Sequence, residues 1–293
     1  MRDPASIVAS LNRRHGALYR LIGPKAGGES GATYVIADDS GTEYILKWGT
    51  EFHAEQALAI TRRLRASGYP VPEYVTSDTD DEGIRYLVQR VLPGQPIQRI
   101  TPRHLDRIFE LNTLQAGIAA EFAGDWPAPI VESIRNGFQE WCVLDSLRSY
   151  TGETAAILKD LEETTTLVDG ANVPATDAVH FDFNPANILA DNGAISGVVD
   201  WNGCCAGDRG FDLITLGFYA LEDAGIAQPL VQRACGVSGP EAAALYLAHM
   251  IVRQLDWSIR HHDEATISRY LGISRIAMRE IRELSNQPDR RRV

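Results

Sequence analysis

The run His180-Phe181-Asp182-Phe183-Asn184-Pro185-Ala186-Asn187-Ile188-Leu189, followed by Val198-Val199-Asp200-Trp201, restricts the local fold more than any other part of the chain. Asp191-Asn192-Gly193 is a strong turn signal, and it stands between two short β-type runs, Ile188 to Ala190 and Ile195 to Val199. The spacing therefore predicts a hairpin. The midpoint between Asn187 and Asp200 falls between Gly193 and Ala194. In a regular ladder the two residues become cross-strand partners at the open end, their side chains roughly 5 Å apart on one face. An amide oxygen and a carboxylate then converge.

Such a pair suits a hard cation, and Mg²⁺ in particular is commonly held by one or two protein groups together with substrate phosphates. Asp182, five residues before Asn187 on an irregular loop, is placed to orient a hydroxyl and accept its proton. An isolated Asp or Asn would read as a turn or cap residue; the joint spacing is what carries the inference.

H-x-D-x-x-x-x-N followed by D-W resembles the catalytic and metal-binding segments of the aminoglycoside phosphotransferase family. That family shares the protein-kinase-like fold and includes choline and homoserine kinases. The resemblance implies an α+β, two-lobed chain, with a nucleotide-binding antiparallel sheet lobe over residues 1–92 and a larger helical lobe over 93–293. A length of 293 residues accommodates two such lobes. It further implies ATP, or GTP, with Mg²⁺, Asp182 as catalytic base, and Asn187 and Asp200 on the metal. His180 would brace the loop, and Asp212 would bond the loop's backbone, the competing reading being an ordinary helix N-cap. Asn202, Arg209, Phe181 and Phe183 depart from the family's usual residues.

The first lobe supplies the remaining parts. A β run at Leu18 to Ile22 and another at Thr33 to Ile36 flank a small-residue loop, Ala26-Gly27-Gly28-Glu29-Ser30-Gly31, whose backbone N–H groups can approach phosphates. Ser30 is its nucleotide-contacting candidate. The strand Glu43-Tyr44-Ile45-Leu46-Lys47-Trp48 resembles the one carrying the nucleotide lysine of kinases, which makes Lys47 the phosphate-binding cation. A helix over 52–67 offers Glu55 as its partner, one turn inside and aligned with Leu58, with Glu51 as the fallback. Ile84 to Val91 is the hinge strand by resemblance, with backbone groups near Gln89 and Val91 on the adenine edge.

From Thr101 onward the apolar spacing is helical, with a further helical region over 129–147, another over 153–167, and helices over 241–262 and 267–284. The formal charge of −11 argues against nucleic acid and favours a cationic acceptor. Candidate acids for that acceptor are Glu222, Asp223, Asp256, Asp263 and Glu264. No run reaches membrane-spanning length and the N-terminus lacks a signal-peptide core, so the expected location is cytoplasmic. Cys142, Cys204, Cys205 and Cys235 read as small buried hydrophobes. The expected activity is transfer of a γ-phosphoryl group to a small-molecule hydroxyl, on an aminoglycoside or other cationic antibiotic before a metabolic amino alcohol or sugar. A catalytically silent nucleotide-binding protein is the alternative, against which the joint presence of Lys47, Asp182, Asn187 and Asp200 speaks.

Overall fold

The computed structural model describes residues 3–25, 33–49, 54–138, 141–168 and 173–286. The chain divides into two compact units, one of Met1–Gln95 with Ile188–Gly203, the other of Pro96–Asn187 with Cys204–Val293. The hairpin, expected in the second lobe, belongs to the first unit instead.

The first unit opens with helix α1 (Pro4–His15), which is punctuated at both ends. Asp3 caps it by accepting a hydrogen bond from the Ala5 N–H, Pro4 occupies its first turn, and Gly16 ends it at φ +61°. Its apolar face, Ile7, Val8 and Leu11, packs on Ile36, Tyr44, Leu46, Tyr86 and Val88 of the sheet. Each large aliphatic side chain so buried contributes roughly 1.5–3 kcal/mol.

That sheet has the order β1-β2-β3-β5-β4, from β1 (Arg20–Pro24), β2 (Thr33–Ala37), β3 (Glu43–Gly49), β4 (Tyr74–Thr79) and β5 (Arg85–Arg90). All its pairings are antiparallel, and β3 is the middle strand. Helix α2 (Ala54–Ala66) links β3 to β4, and the two-residue strand β6 (Gln95–Pro96) lies at the boundary of the units.

The hairpin consists of β8 (Ile188–Asp191) and β9 (Ala194–Val198), turning through Asn192 and Gly193, both at positive φ. Its ladder pairs Asp191 with Ala194 but Ile188 with Val198, because an irregularity at Leu189/Ala190 shifts the register by one. Asn187 precedes the ladder in a 3₁₀ turn (Pro185–Asn187), so the expected cross-strand pairing of Asn187 with Asp200 is not formed. The Val198 N–H donates to the Pro70 carbonyl at 2.9 Å, and Trp201 packs edge-on against Tyr69.

The second unit is helical, built of α3 (Pro102–Leu114), α4 (Ala128–Arg135), α5 (Leu144–Tyr150), α6 (Gly152–Thr164), α7 (Gly210–Tyr219), α8 (Ala224–Ser238), α9 (Pro240–His261) and α10 (Glu264–Ser285). The helix expected over 129–147 is interrupted, since Gly137 and Cys142 both take left-handed backbone conformations that no α-helix contains. Helix α9 is the centre of this unit, with every residue from Ala242 to Val252 buried. The short strands β7 (Asp177–Val179) and β10 (Cys205–Gly207) form a two-stranded ladder on either side of the unit's gap in sequence. All four cysteines are free thiols, and burial pushes those of Cys142 and Cys205 up to about 12. No helix of the described residues is long and apolar enough to cross a membrane.

Candidate active site

In the first unit, Lys47 stands on the middle strand, flanked in register by Thr33 and Leu87, and its side chain is only 12% exposed. Its ammonium lies 2.8 Å from Asp200 Oδ1, a charge-assisted hydrogen bond. The Asn202 amide donates to the same oxygen at 2.8 Å. Asp200 follows the hairpin at φ +69°, a left-handed conformation uncommon for a residue with a side chain. Trp201, fully buried, fixes this turn by donating its indole N–H to the Val198 carbonyl at 3.0 Å. Lys47 thus meets a different carboxylate from the expected one. Glu55 sits in the first turn of α2 and is exposed, rather than a full turn inside on the buried stripe. Ser30 and Glu51 lie outside the described residues. Gln89 is buried in the ladder between Ile45 and Tyr74, and Val91 is exposed just past the end of β5.

In the second unit the loop from His180 to Asn187 is held from several sides. Asp212 enters from the first turn of α7, and its carboxylate turns into the loop rather than capping the helix. It accepts from the His180 N–H at 2.8 Å, the Phe181 N–H at 3.1 Å and the Gln115 amide at 2.6 Å. Burial pushes its carboxyl up to about 6, against the pull of the nearby His180 and of these donors. His180 is fully buried and accepts from the Asp182 N–H through Nδ1 at 3.3 Å. Phe181 takes φ +72°, and its ring stacks on Phe211 at 5.1 Å.

The Asp182 carboxylate, 40% exposed, is gripped through both oxygens. Asn187 donates its amide to Oδ2 at 3.0 Å and to the residue's own carbonyl at 2.8 Å. Arg253, from α9, donates to Oδ1 at 2.8 Å and to the Phe181 carbonyl at 2.8 Å. Burial disfavours the charge on Arg253, but the adjacent Asp182, with Tyr219 and Cys142, outweighs it and raises the guanidinium. Sequence reasoning missed Arg253. Its signal was available, since it is the first charged residue after Glu241 and directly ends the uncharged run Ala242 to Val252.

The five acids proposed for a cationic acceptor are all engaged within the second unit. Asp256 is fully buried and holds Arg260 and Ser146, Glu222 holds Arg269, and Glu264 accepts from the Tyr150 hydroxyl. Asp223 and Asp263 are the N-caps of α8 and α10. Among the described residues no three or more His, Cys, Asp or Glu side chains are grouped to hold a metal. A magnesium site of the expected kind does not need such a group, because one or two oxygen donors and nucleotide phosphates suffice. Asn187 and Asp200 are oxygen donors of that type.

The family model described as the phosphotransferase enzyme family matches residues 22–246, about three quarters of the chain. No curated protein matches. Among solved structures, a thermostable mutant of aminoglycoside phosphotransferase APH(4)-Ia, in ternary complex with AMP-PNP and hygromycin B, is similar with a TM-score of 0.69 at 17% identity, covering 94% of this chain and 98% of that one. Spectinomycin phosphotransferase APH(9)-Ia, in complex with ADP and spectinomycin, gives 0.59 at 15% identity, with coverage of 97% and 98%. LicA in complex with AMP gives 0.68 at 12% identity, with coverage of 97% and 100%. At these identities the likeness establishes a common fold, an antiparallel sheet unit joined to a helical one. The chain belongs to the phosphotransferase enzyme family.

Proposed function

We propose that the protein transfers the γ-phosphoryl group of ATP, with Mg²⁺, to a hydroxyl of a small acceptor. The observation that carries this reading is the Asp182 carboxylate, partly exposed and held at both oxygens, beside the Asn187 amide. In that role Asp182 orients the acceptor hydroxyl and takes its proton. Because Asn187 uses its NH₂ toward Asp182, its amide oxygen is the atom assigned to the metal, together with the Asp200 carboxylate. Bound magnesium would neutralise the charge of the phosphates. Lys47 is assigned to the nucleotide phosphates, Ser30 and the backbone near Gln89 and Val91 to further nucleotide contacts, and His180 and Asp212 to support of the loop. Nucleotides in the complexes of similar fold support the donor class.

Hygromycin B and spectinomycin in those complexes favour an aminoglycoside or another cationic antibiotic as acceptor. A metabolic amino alcohol or sugar is the second reading. It is favoured by the engagement of Glu222, Asp223, Asp256, Asp263 and Glu264 with partners of their own. A screen with γ-labelled ATP across aminoglycosides, other antibiotics, choline-like amines and sugars separates the two. The Asp182→Asn variant is expected to lose about 10²–10⁴-fold in turnover while binding ADP within about two-fold of the native protein. Full turnover in that variant would remove Asp182 as the base.

A further inference from the structure

Phe181 and Asp182 present a loop that its own sequence does not favour. A phenylalanine at φ +72° is held in a left-handed conformation that only surrounding contacts can maintain. Its N–H is taken by Asp212 and its ring by Phe211, both from α7. Its carbonyl is taken by Arg253, from α9. The same guanidinium reaches the next residue's carboxylate with its other terminal nitrogen, and it lies 5.7 Å from the Phe181 ring centroid. One planar group therefore fixes the peptide that follows Phe181 and the side-chain torsion of Asp182 together.

We propose that Arg253 is a positioning residue for the base. It sets the direction of the Asp182 carboxylate, acting through Asp182 and touching neither nucleotide nor acceptor. The geometry requires two acceptors at fixed separation, which is what a forked, planar donor matches and a single ammonium does not. The cation is fixed in turn: Arg253 is 21% exposed, directly after the buried run Ala242 to Val252 of α9 and one turn beyond His249. His249, fully buried, is bonded to Ser133 at 2.7 Å and packed against the Phe181, Phe211 and Trp141 rings. Rigid support on the far side is what a positioning group needs in order to hold a geometry rather than follow it.

The inference rests on the reading of Asp182 as base, so the experiment separates the two. Three variants, Arg253→Met, Arg253→Lys and Asp182→Asn, and the double variant of Asp182→Asn with Arg253→Met, are compared with the native protein. The measurements are Mg-ATP hydrolysis, with water as the probe acceptor, ADP binding, and amide hydrogen exchange. Arg253→Met is expected to lower kcat about 10–100-fold, the scale of a misplacement of about 1 Å. Its KM for ATP and its ADP affinity stay within about two-fold, and amide exchange at 181–183 quickens about ten-fold while that of α7 is unchanged. Arg253→Lys, which keeps the charge but reaches one acceptor, falls between the two. In the Asp182→Asn background, removing Arg253 causes no further loss. Unchanged exchange at 181–183 overturns the proposal, as does a second full loss in the double variant. Native turnover in Asp182→Asn alone instead removes the base assignment, and the exchange measurement still decides whether Arg253 pins the loop.

Discussion

Asp200 meets Lys47 across 153 positions of chain, once the hairpin has docked on the same unit. That pairing has no local signal in the sequence, whereas Asp182, Asn187 and Asp200, the residues proposed to carry the chemistry, stand within nineteen positions of one another and their spacing is visible there. Asp212 was placed by resemblance, and its burial makes a pH prediction possible. Its carboxyl is raised to about 6, so its contribution to stability is fully present below the unfolded value of about 4 and is lost as pH rises through about 6. Two units correspond to roughly 2–3 kcal/mol. His249 works in the opposite direction, since burial lowers it to about 3 and its contribution is lost as pH falls below about 6.5. A pH scan of the native protein therefore blends the two. Urea unfolding of Asp212→Asn beside the native protein isolates the first: the stability gap between them should narrow from pH 4 to pH 6. A gap that stays constant would show that Asp212 does not hold its proton in the fold.

Most elements followed from periodicity and punctuation: the hairpin from Asn192-Gly193, and the long final helices from their apolar stripes. The failures arose where one residue alters the backbone count. The turn at Asn192-Gly193 centres the ladder one residue before the expected midpoint and the irregularity at Leu189/Ala190 recovers only half of that offset, while left-handed Gly137 and Cys142 broke an expected helix. No hydrophobic pattern reports a bulge. How the hairpin is seated makes Gly94 a critical position. It takes φ +100°, and a β-carbon there would meet the Ser196 hydroxyl and come within 2.7 Å of the Ala190 carbonyl oxygen. The Ser196 hydroxyl meanwhile donates to the Pro93 carbonyl at 2.6 Å. Gly94→Ala is expected to destabilise the protein by about 1–3 kcal/mol, enough to lower Tm by several degrees. Calorimetry that finds an unchanged Tm would mean the hairpin can lift from this linker without loss.

At the scale of the chain, the change from β-type to helical patterning after the first ninety or so residues was readable in the sequence. The return of residues 188–203 to the first unit was not, because sequence order carries no record of which layer a hairpin joins. Completeness of the first unit should depend on that return. Tyr69 and Pro70, in the connection between α2 and β4, are contacted by Trp201 and Val198. A fragment of residues 1–95 is expected to unfold without a cooperative transition, and the same fragment linked to residues 188–203 to regain one by circular dichroism. Cooperative melting of the shorter piece alone would refute the dependence. The discontinuity also bears on synthesis. At roughly 5–20 residues per second, a ribosome takes on the order of 5–20 s to deliver the ninety or so residues between the two segments of the first unit. Through that interval the nascent sheet waits, with Tyr69 and the chain around Gly94 uncovered, for a piece of itself still to be translated.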